Sequence, residues 1–254
     1  MRIKDSGIVL TGASSGIGKD LLKMLLHEGA RVYAVSREIE DTLTFAHKRL
    51  TTKNLDVSSE ASLELLFQEA EEELGRIDAF IANAGFSYHE FLEEADWQHI
   101  VDIYETNVHS VIYSAIKMRE LYADSPFHFM ATLSAMSFLS LPGNALYSST
   151  KAALRGFFDG FEQELLRKDQ ILQRVYPVAT ETEFFTRSGQ IRKPPPVQSS
   201  YHVARRMLAG LKKDRRHIYP SKLFKYTWKF TPFFYRLYLA RERKFFFESL
   251  TKDT

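Results

Sequence analysis

Ser134, Tyr147 and Lys151 stand 13 and then four residues apart, so one short stretch carries a hydroxyl, a phenol and an ammonium in that order. Together they could form an acid/base catalyst. A free phenol titrates near 10, and a nearby ammonium favours the phenolate, so Lys151 at i+4 is placed to lower the pKa of Tyr147. Ser134 could hydrogen-bond an oxygen on which charge grows in a transition state, or it could merely cap the end of a strand. A Tyr followed four residues later by a Lys is cheap: with 12 Tyr and 16 Lys in 254 residues, roughly one such pair arises by chance. The chain has a second, Tyr113 with Lys117, but 13 residues before it stands Ile100, which cannot donate a hydrogen bond. Ser137 competes with Ser134, and the spacing to Tyr147 favours Ser134.

A second set of residues could hold a phosphate. Thr11-Gly-Ala-Ser-Ser-Gly-Ile-Gly18 lies between the apolar run 7–10 and a helical run over 19–28. Glycines there let backbone approach a pyrophosphate, and the helix N-terminus aims free N–H groups and partial positive charge at it. The cradle would comprise Thr11, Gly12, Ser14, Ser15, Gly16, Ile17 and Gly18. A tight turn alone would use the same glycines, but a strand before and a helix after favour nucleotide binding.

The elements that must position these groups follow from periodicity. Residues 31–36 predict a second strand after a helix with Leu21, Leu22, Leu25 and Leu26 on one face, which makes a βαβ unit and hence a parallel sheet. The alternation continues with strands at 52–55, 77–82, 127–133 and 171–176 and helices at 59–74, 96–122 and 145–167. It predicts a doubly wound α/β fold with a parallel sheet. Ser134 then sits just past a strand's carboxyl end, where open α/β sheets bind ligands, and Tyr147 and Lys151 share a helix face. A loop over 183–200 with Gly189 and three consecutive prolines is long enough to be a substrate lid. A helix at 200–213 and a short strand at 217–219 follow, which gives one domain over 1–220 and an aromatic, basic extension over 221–254.

With these residues in order, the chain resembles the short-chain dehydrogenase/reductase family. The resemblance rests on the glycine turn, Asn83-Ala84-Gly85, Asn107, Ser134, Tyr147 with Lys151, and the segment from Pro177 through Thr182, and it covers about residues 5–220. It implies a Rossmann fold, a nicotinamide cofactor and hydride exchange with a carbonyl or hydroxyl. It implies further that Tyr147 is the general acid/base, that Lys151 also holds the nicotinamide ribose, and that Asn107 helps hold a water relaying protons past the lysine. On the residues alone, Asn107 could instead be a satisfied core amide. The resemblance also assigns Asp56 and Val57 to the adenine, Asn83, Ala84 and Gly85 to the cofactor lining, and Pro177, Val178, Thr180 and Thr182 to the nicotinamide end, with Thr182 on the carboxamide. Val178 departs from the family, which usually has glycine after the proline, and its Cβ would narrow the space beside the nicotinamide.

Ser36 and Arg37 end the second strand. An acidic residue there would bind ribose hydroxyls and repel a 2′-phosphate, whereas the planar fork of arginine suits that phosphate. NADP(H) is therefore favoured over NAD(H), with a solvated surface arginine as the competing reading.

Composition excludes much else. Hydrophobic residues at 44% and charged residues at 26% are ordinary for a globular domain. The absence of cysteine excludes disulfides, thiolate metal ligands and a cysteine nucleophile. The eight histidines lack ligand spacing, so no metal is expected. A strand beginning within seven residues of Met1 leaves no room for a signal peptide, so a cytoplasmic protein is expected.

Phe86, Tyr88, Phe138, Leu141, Phe184 and Phe185 fall in loops bordering the site. They fit a small hydrophobic, lipid-like carbonyl or alcohol substrate, or they pack the lid on the core. Residues 212–254 hold 12 Lys/Arg against four Asp/Glu and 12 of the 34 aromatics, which leaves the rest of the chain at a net −6. Such a tail could lie on a membrane surface as a peripheral contact through 221–250, pack on its own domain, or meet a second subunit in a homo-oligomer. Nucleic acid is not expected, because no recognition motif accompanies the bases. Two other functions compete with an oxidoreductase: a non-catalytic NAD(P)-binding sensor or scaffold, and a sugar-nucleotide epimerase or dehydratase. The second usually has a different glycine spacing and a larger C-terminal domain.

Overall fold

Continuous apolar runs become buried strands. In a computed structural model, which describes residues 1–184, 188 and 197–250, seven strands form one parallel sheet in the order β3-β2-β1-β4-β5-β6-β9. They are β1 (Gly7–Thr11), β2 (Arg31–Ser36), β3 (Leu50–Asn54), β4 (Ala79–Ala82), β5 (Phe127–Thr132), β6 (Gln170–Val175) and β9 (His217–Ile218). Every residue of β1, β4 and β6 is buried, as a sheet covered on both faces demands. Two short strands, β7 (Thr180–Glu181) and β8 (Gln198–Ser199), pair separately and close the two ends of the expected lid on each other. Most of that lid, residues 185–187 and 189–196, lies outside the described residues.

The helices cover both faces. On one side α1 (Gly16–His27) and α7 (Ser200–Lys212) bury Leu21, Leu22, Leu25, Val203, Met207 and Leu211 against the sheet. On the other lie α3 (Glu60–Leu74), α5 (Ser110–Leu121) and α6 (Ala145–Phe161), with Phe67, Phe80, Phe129 and Phe158 stacked through the core. A single turn, α2 (Ile39–Thr42), follows β2. Ser59 caps α3 by accepting from the Ser62 N–H, and Gly75 ends it at φ +69°, a conformation that disfavours a Cβ. The sheet order reverses between β1 and β4, opening a crevice at their carboxyl ends.

Two helices differ from their sequence expectation. The segment expected as one helix over 96–122 is α4 (Trp97–Tyr104) and α5 joined by a π turn at Glu105–His109. Helix α6 stops at Phe161 and continues only as a tight turn over Glu162–Glu164. Leu165 and Leu166 extend the apolar pattern in sequence, yet Leu166 is 91% exposed.

Beyond β9, α8 (Lys222–Thr227) and α9 (Thr231–Leu250) return to their own domain. Phe138 packs on Trp228 at 4.6 Å and on Phe224 at 6.0 Å. The Tyr235 hydroxyl donates to Ser140 O at 2.8 Å and accepts from Ser140 N at 3.0 Å. Phe246 meets His89 edge-on at 5.7 Å.

The end of α6 is fixed electrostatically. Arg174 of β6, 1% exposed, donates to Glu162 and to Phe158 O, lies 3.4 Å from Asp159 and is hydrogen-bonded with His217. Replacing Glu162 with Gln leaves that guanidinium short of charge compensation. Removing one partner of a buried pair is strongly destabilising, and Asp159 softens the loss, so urea denaturation is expected to show about 3 kcal/mol less stability.

Candidate active site

The glycine turn is clasped to the neighbouring strand. The Thr11 hydroxyl accepts from the N–H groups of Asn83 at 3.1 Å and Ala84 at 3.0 Å. The Asn83 amide donates to Gly12 O at 3.1 Å and accepts from the Thr132 hydroxyl at 3.1 Å. The carboxyl ends of β1, β4 and β5 are thereby tied into one rim. Close approach explains the last glycine: a Cβ on Gly18 would stand 2.0 Å from Gly12 O. Above this turn Ser14, Ser15, Gly16 and Ile17 line a cleft of about 1350 Å³. The first N–H groups of α1 have no intrahelical partner, and Ser15 enters the helix extended with no side-chain cap. Thr11 and Gly18, expected as cofactor contacts, lie beneath this surface; one fastens β4 and the other allows α1 to pack.

At one end of the cleft Ser36 is hydrogen-bonded to Ser14 at 2.8 Å, and Arg37 is exposed on the rim beside Glu38. Asp56 and Val57 line the same end, and the Asp56 carboxylate accepts from Ser58 N. Asn83, Ala84 and Gly85 form the floor, and Pro177, Val178, Thr180 and Thr182 form the wall opposite. The Thr182 methyl would lie 2.8 Å from a Cβ on Gly16, so wall and glycine turn nearly meet.

Deeper in, β5 delivers Ser134 in extended backbone, its hydroxyl accepting from Met136 N at 3.1 Å. Helix α6 presents Tyr147 and Lys151 on one face. The Lys151 ammonium donates to Thr132 O at 3.0 Å and lies 5.6 Å from the Tyr147 ring centre. Tyr147 keeps part of its surface open to the cleft, yet protein atoms crowd its hydroxyl and push its pKa up to about 12. The neighbouring Ser134 side chain pulls the other way. Lys151 is 4% exposed, and loss of water brings it down to about 8. Lys151 is not among the groups that move Tyr147 here; burial sets the direction, opposite to the lowering expected from sequence. Ser137, the competing serine, is buried with its hydroxyl unpartnered and does not line the cleft. In the chance pair, Tyr113 and Lys117 both serve Glu64 at the surface of α5.

Asn107 falls in the π turn, is fully buried and does not line the cleft. Its Oδ1 accepts from Phe86 N at 3.0 Å, and its Nδ2 donates to Phe86 O at 2.8 Å and to Thr150 at 3.3 Å. The amide is committed to the loop after β4, so its side chain positions Gly85 and Phe86. An irregular turn at a ligand-facing loop is a frequent location for π geometry.

Among the apolar residues expected around a substrate, Phe86, Tyr88, Leu141 and Phe184 line the cleft, and Phe184 meets the Tyr147 ring edge-on at 5.4 Å. Phe138 does not; it turns to Tyr176 and Trp228, since those rings offer it a dry contact. Phe185 lies outside the described residues. Sequence reasoning missed Met136, Leu139, Asn144, Leu223, Phe224, Thr227 and Tyr235. The first three border Ser134 and Tyr147 in the chain and were findable by proximity; the last four reach the cleft only through the tertiary fold.

Comparison with known proteins agrees with this geometry. The profile of the family described as short chain dehydrogenase matches residues 6–192. The chain belongs to the short-chain dehydrogenase/reductase family. It is an NAD(P)-dependent oxidoreductase. An uncharacterized oxidoreductase of Listeria monocytogenes is 30% identical over 195 residues, covering 72% of this chain and 77% of that protein. Two solved structures share the fold. A short-chain dehydrogenase/reductase from Burkholderia phymatum in complex with NAD gives a TM-score of 0.81 at 18% identity, covering 93% of this chain and 96% of that one. A short chain dehydrogenase from Burkholderia cenocepacia in complex with NADP gives 0.79 at 23%, covering 95% and 99%. The fold thus admits either cofactor. In this enzyme the glycine cradle, the free N–H groups of α1 and the long cleft fit a dinucleotide.

The buried ammonium has a cost that pH exposes. Folded Lys151 sits below its ordinary value, so between about pH 8 and the unfolded value near 10.4 the unfolded chain binds more protons and stability rises with pH. Lys151→Met should therefore be more stable than wild type at pH 7, by up to roughly 3 kcal/mol. Urea melts at neutral pH and near pH 10 should show that advantage shrinking as pH rises.

Proposed function

We propose that the enzyme interconverts a carbonyl and a hydroxyl on an apolar, lipid-like substrate with NADP(H), Tyr147 being the general acid/base. The observation that carries this reading is the convergence of Ser134, Tyr147 and Lys151 on one cleft, with Lys151 anchored on Thr132 O and the substrate end of the cleft apolar. The cofactor, when bound, supplies the hydride.

The residues of the chain do the rest. Ser134 donates a hydrogen bond to the substrate oxygen as charge grows there. Tyr147 holds its proton at neutral pH, in the form that can protonate a developing alkoxide. Lys151, fixed on Thr132 O, keeps positive charge beside the phenol and so favours its anion after the proton has left. Asn107 contributes by holding Gly85 and Phe86 at the cleft floor. Phe86, Tyr88, Leu139, Leu141 and Phe184 exclude water from the reacting carbonyl and select for an apolar chain.

Tyr147→Phe is expected to lower kcat/KM for NADPH-dependent ketone reduction by about 10² to 10⁴ while leaving cofactor affinity nearly unchanged. Undiminished NADPH oxidation across a broad ketone panel would overturn the mechanism. Tight NADPH binding with no carbonyl or alcohol turnover in wild type would favour a binding sensor.

Arg37 supports the choice of NADP(H), since it is exposed, lines the cleft directly after Ser36, and carries a guanidinium able to pair with a 2′-phosphate. Arg37→Asp should weaken NADPH binding at least roughly tenfold by fluorescence titration and improve the relative affinity for NADH. An unchanged preference would show that Arg37 is only a solvated surface side chain.

A further inference from the structure

The cleft mouth is built from a helix whose outer face is basic. In α8 and the turn after it, Phe224 is buried and Trp228 packs on Phe138. At about 100° per residue, Lys225, Lys229, Lys222, Tyr226 and Leu223 occupy one continuous outward arc. All five are exposed, Tyr226 at 67% and Leu223 at 63%. The arc runs into the cleft at its apolar edge, where Leu223 and then Thr227 line the opening. Basic side chains also dominate further on: Arg241, Arg243 and Lys244 are exposed on α9, whereas Glu242, the only carboxylate among the described side chains of 222–247, is buried.

We propose that this arc docks the cleft mouth on an anionic lipid surface, from which the enzyme takes its substrate. The proposal rests on the reading of the cleft as a site for an apolar carbonyl or alcohol. Three ammonium groups suit lipid phosphates, and Tyr226 and Leu223 suit the boundary between headgroups and acyl chains. Because Leu223 belongs to both the arc and the opening, a docked enzyme presents its cleft to the bilayer rather than to water. Among the described residues no helix is long and apolar enough to cross a membrane, so contact is with the surface.

The test is cosedimentation of the full-length protein with phosphatidylcholine vesicles containing or lacking phosphatidylglycerol, beside the variant Lys222→Gln/Lys225→Gln/Lys229→Gln. None of these lysines lines the cleft. Wild type should bind the anionic vesicles and not the neutral ones, and the triple variant should bind roughly a hundredfold more weakly. Equal binding to both vesicle types, no binding to either, or undiminished binding by the variant would overturn the proposal. So would a wild-type dimer in sedimentation velocity that the variant abolishes, with no vesicle binding, since the arc would then serve a second copy. NADPH-dependent turnover of a water-soluble ketone should be the same in both proteins. Retained turnover without vesicle binding would sink the docking alone, and vesicle binding without any turnover would sink the catalytic reading alone.

Discussion

One asparagine holds the working parts of this enzyme in register. Asn83 donates to Gly12 O, accepts from the Thr132 hydroxyl and has its own N–H taken by Thr11. Those contacts span the three central strands where their order reverses. The turn that fits a pyrophosphate, the carbonyl that holds Lys151 and the loop that Asn107 grips all start from residues in this clasp. Strand ends normally fray, because their last backbone groups lose ladder partners. Here side-chain hydrogen bonds replace those partners and turn three ends into a single rigid rim, which is the condition for preorganised chemistry.

Upon that rim the decisive physical quantity is loss of water. Burial lifts the Tyr147 phenol and depresses the Lys151 ammonium, so each is biased toward its neutral form. A neutral phenol can give up a proton to a substrate oxygen. An ammonium with one carbonyl partner is an incompletely satisfied cation, and the fold tolerates it because the surrounding sheet and helices are firmly packed. Sites of this kind commonly reduce stability in exchange for function. The Arg174–Glu162 pair is the structural counterpart: it pins the far end of α6, the helix that carries Tyr147 and Lys151, with a carboxylate and the Phe158 carbonyl as partners.

The C-terminal extension changes the character of the cleft. Without α8 and Tyr235 the substrate end would be bounded by the loops after β4, β5 and β6. With them it acquires a roof whose inner side is apolar and whose outer side is basic. Packing of Phe138 beneath Trp228 and Phe224 explains why that ring was diverted from the cleft. One aromatic was recruited to hold the roof, and others from the roof took its place along the opening.

Local order was legible in the chain before any coordinates. The alternation of apolar strands with amphipathic helices, the glycine turn between β1 and α1, and the spacing of Ser134, Tyr147 and Lys151 are set by neighbours in sequence, where geometry has fixed periods. The same spacing separated Tyr147 from Tyr113, which the fold indeed places with Glu64 at the surface. What required tertiary structure was everything governed by distant contacts or by solvent exclusion. The sign of the Tyr147 shift depended on how many atoms crowd its hydroxyl, the role of the Asn107 side chain on its grip of Phe86, and the direction of Phe138 on rings that lie some 90 residues away. Spacing along a chain specifies which groups can meet; only packing decides how much water remains when they do.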